Sequence, residues 1–289
     1  MLLLVGTVPI ENLPLTYGRV HYQPDKLTIG DYVLEGQYVT LGTAAMISSA
    51  SATCQAIGAD APYALVMGDT GMGEGTMKIL KYLTEELNNL APSVVTLHYI
   101  LPTREQFMNF VNTAHKMDKR PFLIADAGAL LNAKAVKMAP QFDLFTPDPG
   151  ELSFLADPDA AHPAYVQHFI FSVDQTEVPR LSKDAYDHGD APRYMIVKAP
   201  VDHVVVEGKT VATINDPNVP TMEPIGGTGD TITGEVSALI SSGMDVVEAC
   251  IAACKINRTT GELVQPAPDT TIAQFIPFIG EAAKKVLGK

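Results

Sequence analysis

Pro224-Ile225-Gly226-Gly227-Thr228-Gly229-Asp230-Thr231-Ile232-Thr233-Gly234 feeds a glycine turn into an amphipathic run, and the reading of the chain is organised around it. Gly226, Gly227 and Gly229 let the backbone turn tightly and come close to a ligand. Thr231 through Ile240 reads as a helix with Val236, Leu239 and Ile240 on one face. Such a turn aims several N–H groups and the positive end of the helix dipole at one point, which suits a phosphate. Asp230 places a carboxylate at the same point. Two roles stay open for it here: an acid capping the first turn, or a base beside a phosphoryl-binding turn.

Upstream of this stretch the chain alternates between strand and helix signals. Residues 1–7 form an apolar strand, and 42–57 form a helix of small residues suited to close packing on a sheet. The strand Tyr63 to Met67 runs into Gly68-Asp69-Thr70-Gly71-Met72-Gly73-Glu74-Gly75, and a helix with Ile79, Leu80, Leu83 and Leu87 on one face follows. Strands at 94–100, 122–125 and 142–145 alternate with helices at 104–117 and from Asp126 through Met138. Repeated βα units predict an α/β fold with a mostly parallel sheet, whose ligands bind beyond the carboxyl ends of the strands. Asp69, Asp126, Asp148 and Glu151 all fall just after strands. Residues 18–36 read as one or two short strands outside the main core, a flap over a pocket. Residues 157–192 receive no firm assignment. Tyr194 to Val197 resumes the sheet and ends at Lys198, and a hairpin around Glu207-Gly208-Lys209 makes a small antiparallel addition. Without a repeat or a low-complexity linker, 1–289 reads as a single domain.

Composition sets the outer limits. The 289 residues are 46% hydrophobic and 18% charged, enough to bury a sizeable core. Thirty-three acids against 20 bases give a net charge of −13 without a basic run, which argues against nucleic-acid binding. An anionic ligand therefore has to be held by backbone amides, a metal or a single lysine. Cys54, Cys250 and Cys254 lack the histidine spacing of a zinc site and read as buried core thiols, in keeping with a reduced cytoplasmic setting. The opening Met1-Leu2-Leu3-Leu4-Val5 reads as a strand rather than a signal peptide, and no run approaches a membrane span.

The strand-end acids carry the remaining chemistry. Asp148 and Glu151 flank Pro-Gly and have two readings of similar weight: helix-start acids favoured by the dipole, or ligands that organise Mg²⁺ beside nucleotide phosphates. Lys198 is a solvated strand-end lysine or a counter-charge for phosphates. The seven histidines show no ligand spacing, and no nucleophile elbow, P-loop or dinucleotide fingerprint is present.

Thr146-Pro147-x-Pro149-Gly150-Glu151, then Lys198 before a hairpin, then Gly227-Thr228-Gly229-Asp230-Thr231-Ile232-Thr233-Gly234 resembles the ribokinase-like superfamily. The nearest branch is that of the ADP- or ATP-dependent NAD(P)H-hydrate dehydratases, often labelled carbohydrate kinases. The likeness runs from about Pro121 to Val264. It implies a three-layer α/β/α sandwich and phosphoryl transfer to a hydroxyl of a small metabolite, or the dehydratase reaction, which shares that first step. It further implies Asp230 as the base, and Gly226, Gly227, Thr228 and Gly229 as an anion hole. Lys198 and Thr228 would lie near ATP or ADP. Glu151, with Asp148, would organise Mg²⁺ through water, while Gly68, Asp69, Gly71, Gly73 and Asp126 would line the substrate side. Departures from the dehydratase pattern concentrate on that substrate side: the Gly68–Gly73 loop is longer and acidic, and an extra strand and helix near 93–117 is more like sugar and vitamin kinases. The expected partners are a small substrate and a nucleotide, with a homo-oligomer formed through the 18–36 segment. A nucleotide sensor that kept the fold without the chemistry is the reading from another class.

Overall fold

β1 (Leu2–Val8) is buried along its whole length and forms the spine of the sheet. In this computed structural model, which describes residues 1–36, 42–160 and 175–288, it pairs in parallel with β5 (Tyr63–Gly68) on one side and β6 (Val94–His98) on the other. Beyond β6 the parallel series continues through β7 (Phe122–Ala125), β8 (Leu144–Phe145) and β9 (Tyr194–Val197). The antiparallel hairpin of β10 (Asp202–Val206) and β11 (Lys209–Ile214) closes that end, as expected.

The other end differs from the sequence reading. Residues 18–36 do not stand outside the core. β2 (Thr16–Gln23), β3 (Lys26–Ile29) and β4 (Tyr32–Glu35) extend the same sheet antiparallel from β5, giving the order β11-β10-β9-β8-β7-β6-β1-β5-β2-β3-β4. Val20, Tyr22, Leu27, Ile29 and Leu34 alternate along these strands and turn inward, and burial of that face fixes the segment to the sheet.

The near-continuous apolar runs of the parallel strands are explained by cover on both faces. Leu2 and Leu4 pack on the side of α1 (Thr43–Ile57), α7 (Thr228–Ser241), α8 (Val246–Val264) and α10 (Ile279–Leu287). Leu3 and Val5 point the opposite way, toward α2 (Glu74–Leu90), α3 (Arg104–His115), α4 (Gly128–Ala135), α5 (Pro149–Ala156) and α6 (Val178–Asp187). The three-layer α/β/α sandwich is therefore present. α6 supplies the structure of 178–187, which the sequence left unassigned; 161–174 lie outside the described residues.

The small residues of α1 serve close packing, but mainly against α7 rather than only the sheet. A side chain at Gly234 of α7 would sit 2.0 Å from Ser49 Oγ and 2.2 Å from the Met46 carbonyl oxygen, so glycine is required where the two backbones meet. Ser49 Oγ also donates to the Thr231 carbonyl at 3.1 Å. This contact brings the two helix N-termini to the same place. The three cysteines are buried and unbridged, as read from their spacing; burial pushes the Cys250 thiol up to about 12.

Candidate active site

From β1 the chain reaches β5 on one side, then crosses back through α2 to β6 on the other. That reversal makes the carboxyl edge of the sheet at β1 and β6 a topological switch point, where open α/β sheets take their ligands. Strand ends deliver Thr7 (β1), His98 (β6), Asp126 (β7), Thr146 (β8) and Lys198 (β9) to this edge. The N-termini of α1 and α7 add Gly42 and Asp230.

Asp230 is fixed by groups remote in sequence. One carboxylate oxygen accepts from the Gly42 amide at 2.9 Å; the other lies 3.0 Å from His98 Nε2. His98 is fully buried, and its Nδ1 is 3.2 Å from Thr43 Oγ1. Burial favours the neutral acid at Asp230, but His98, Lys198 and the Gly42 N–H outweigh it and hold the carboxyl below the usual carboxylate range. Since an ionised carboxylate only accepts, Nε2 of His98 is the donor. The side chain of Asp230 keeps 17% exposure, enough to meet a ligand.

Asp126 lies at the foot of this cluster. It is 1% exposed and its oxygens are committed: Lys198 Nζ donates at 2.7 Å, Thr233 Oγ1 at 2.5 Å and the Ala127 amide at 2.8 Å. Bonded in this way, Asp126 holds Lys198 and Thr233 in place. Thr233 in turn hydrogen-bonds Thr146 at 2.8 Å. Burial lowers the Lys198 pKa, but Asp126, Glu151 and Asp230 more than offset it and raise it above its ordinary value, so the ammonium persists. Two residues next to this cluster have left-handed backbones without being glycine, Tyr99 at φ 47° and Ala127 at φ 50°. Strain of this kind concentrates at working sites.

The glycine turn stands against this cluster. Gly227 has φ 102°, and α7 begins at Thr228, three residues before the expected start. Among the described residues the amides of Gly227, Gly229 and Asp230 have no hydrogen-bond acceptor, and no side chain caps the helix. Lys198 runs alongside: a Cβ at Gly229 would lie 3.5 Å from Lys198 Cδ. Asn257 of α8 donates to the Thr228 carbonyl at 2.9 Å and to Thr231 Oγ1 at 2.7 Å, bracing the first turn.

The Gly68–Gly73 loop is built differently. Asp69 Oδ1 accepts from the amides of Gly71, Met72 and Gly73 at 2.9–3.0 Å, and Oδ2 accepts from the Thr76 amide at 3.2 Å. Burial opposes the charge, yet these four donors hold the carboxyl below its ordinary value. Asp69 thus organises its own loop.

Asp148 and Glu151 form a reciprocal capping box at the start of α5. The Glu151 amide donates to Asp148 Oδ1 at 2.7 Å and the Asp148 amide to Glu151 Oε2 at 2.9 Å. The helix-start reading is thus realised. Each carboxylate keeps one oxygen outside the box. Burial, then the neighbouring Asp148 and Asp126, push the Glu151 carboxyl well above its usual range. Hard oxygen donors crowded by like charge fit a magnesium ion.

His98, Gly42 and Thr43 escaped the sequence reading. His98 carried one usable signal, its place at the carboxyl end of a strand. Among the described residues His98, Asp126 and Asp230 also form a group with ligand atoms within 4.8 Å of one another.

Comparison with known proteins gives concordant results. A family model described as NAD(P)H-hydrate dehydratase, under the heading carbohydrate kinase, matches residues 33–274. An uncharacterised protein of Methanocaldococcus jannaschii is 40% identical over 223 residues, 77% of this chain and 91% of that protein. Among solved structures, pyridoxal kinase from Staphylococcus aureus in complex with AMP-PCP and pyridoxal superposes with a TM-score of 0.56 at 13% identity, over 90% of this chain and 88% of that one. Pyridoxal kinase from Entamoeba histolytica gives 0.52 at 14% identity, over 83% and 90%.

Proposed function

We propose, from the premise that this chain belongs to the carbohydrate kinase family described as NAD(P)H-hydrate dehydratase and has the ribokinase-like fold, that it transfers a phosphoryl group from ATP or ADP to a hydroxyl of a small metabolite. The observation that carries this reading is the pairing of an ionised, braced Asp230 with a helix start at which the amides of Gly227, Gly229 and Asp230 have no acceptor among the described residues.

Asp230 takes the proton from the substrate hydroxyl as that oxygen bonds to the terminal phosphorus. The bond from phosphorus to the bridging oxygen breaks, and the shortened nucleotide leaves with the electron pair. The amides of Gly227, Gly229 and Asp230, with the positive end of α7, stabilise negative charge on the phosphoryl oxygens. Lys198, already balanced by Asp126, positions rather than neutralises. Its ammonium is fixed beside Gly229, where its remaining N–H groups can meet the arriving phosphates. Glu151 and Asp148 would hold Mg²⁺ through water, and the ion supplies charge neutralisation on the nucleotide.

The family match favours a second outcome of the same step. If the hydroxyl belongs to hydrated NADH or NADPH, the phosphate ester is eliminated and the reduced nicotinamide is restored. Incubation with hydrated NADH and ATP or ADP tests this: recovery of reduced-nicotinamide absorbance supports the dehydratase, and its absence, with phosphorylation of another alcohol such as pyridoxal, supports a kinase. Turnover of neither class by a protein that binds nucleotide would favour a sensor instead.

A further inference from the structure

We propose that His98 is a positioning residue for Asp230: its Nε2–H fixes one carboxylate oxygen while the Gly42 amide fixes the other, leaving only the outward lone pairs for the substrate hydroxyl. The inference rests on Asp230 as base and adds the group that aims it. The ring has little freedom to turn. Thr43 Oγ1 holds Nδ1 at 3.2 Å, and Tyr99 packs edge-on with centroids 4.5 Å apart. Gly6 makes room for this arrangement: a Cβ there would fall 2.1 Å from the His98 carbonyl oxygen and 2.7 Å from Thr43 Oγ1.

His98 faces two carboxylates and serves one of them. Asp230 is at hydrogen-bond distance, 3.0 Å, while Asp126 Oδ2 is at 3.6 Å and already has Thr233, with Lys198 on its other oxygen. The same facts argue against a metal ion bound by His98, Asp126 and Asp230. Lys198 Nζ occupies the cation position on Asp126, and Nε2 would have to give up its proton to an ion. Among the described residues the titratable groups around Asp230 are His98 from β6, Asp126 after β7, Lys198 after β9 and, farther off, Glu151 from α5; the Tyr99 hydroxyl, pushed up to about 12 first by burial and then by the carboxylates, stays neutral. Removing the Nε2 donor therefore takes away stabilisation of the Asp230 carboxylate that no neighbour replaces. A base with a raised pKa must wait for higher pH to ionise.

The first measurement needs no substrate. Long-range nitrogen–proton NMR of the histidine rings, with His98 assigned by its loss in His98→Gln, should show the proton on Nε2; a bare Nε2 overturns the proposal. The second uses phosphoryl transfer from ATP to pyridoxal, or recovery of hydrated NADH, whichever the protein turns over. His98→Leu should lower kcat by roughly ten- to a hundredfold with KM for ATP within about threefold, and should move the acid limb of the kcat profile to higher pH. His98→Gln, which keeps an N–H near the Nε2 position, should recover most of the rate. Equal loss in both variants, or an unmoved acid limb, refutes a positioning role. If Asp230→Asn leaves turnover unchanged, the proposed function fails; if that variant is inactive while His98→Leu is not, only the present inference fails.

Discussion

Two glycine turns in this molecule read alike as sequence and are built in opposite ways. Each carries an aspartate among glycines and opens a helix. In the Gly68–Gly73 loop the aspartate is turned on its own backbone, and Asp69 takes up the amides of Gly71, Met72, Gly73 and Thr76. In the Gly226–Asp230 turn the aspartate is held from outside, by Gly42 and His98, and among the described residues the amides of Gly227, Gly229 and Asp230 stay open. The difference teaches that glycine content alone does not make an anion site. What decides is whether a carboxylate within the loop has already claimed its N–H groups.

The largest expected effect separates the two aspartates. Asp230→Asn should lower kcat by about a hundred- to ten-thousandfold while nucleotide affinity stays within a few-fold, measured by turnover and calorimetry on the same preparation. Asp69→Asn, by contrast, should retain most of kcat. A matched pair of glycines comes next. Gly227→Ala and Gly73→Ala both place a Cβ on a left-handed backbone, at φ 102° and φ 81°, which costs about 1–2 kcal/mol of stability in each case. Only Gly227→Ala, whose Cβ would also press on Ile272 at 3.0 Å, should weaken nucleotide binding as well; comparable loss of nucleotide affinity in Gly73→Ala would erase the distinction.

Stability under acid probes the self-bonded loop. The folded-state pKa of Asp69 lies below its unfolded value near 4, so its contribution is present above that pH and is lost as pH falls through the lowered folded value. Asp69→Ala should cost about 1–2 kcal/mol at neutral pH, and the gap from wild type should narrow in denaturant titrations below about pH 4. The smallest effect belongs to Met72 at the tip of the same loop, 81% exposed. Met72→Ala should shift the denaturation midpoint by no more than about 0.5 kcal/mol equivalent.

The fold was legible because its signals are local. Alternating apolar strands and amphipathic helices survive in any window, and Asp126, Lys198 and the Gly227–Asp230 run could be placed at strand ends or a helix start from pattern alone. The inner organisation of the site was not legible, because its bonds join residues 188 apart (Gly42 and Asp230), 132 apart (His98 and Asp230) and 107 apart (Asp126 and Thr233). Those pairs meet only once α1 packs on α7 and β6 pairs with β7. Asp126 illustrates the point. Its strand-end position was legible, yet its bonds to Lys198 and Thr233 depend on two elements from later in the chain. For residues 18–36 the signal was present but outweighed. The inward alternation of Val20, Tyr22, Leu27, Ile29 and Leu34 marks sheet strands, although the segment read as a flap outside the main core.

The contrast between the two turns can be read directly from amide chemical shifts as magnesium and ADP or ATP are titrated into the protein. The account predicts that the largest backbone shifts fall on Gly227, Gly229 and Asp230, with Gly71, Met72 and Gly73 changing little. Strong shifts at Gly71–Gly73 with a silent Gly227–Asp230 turn would contradict it.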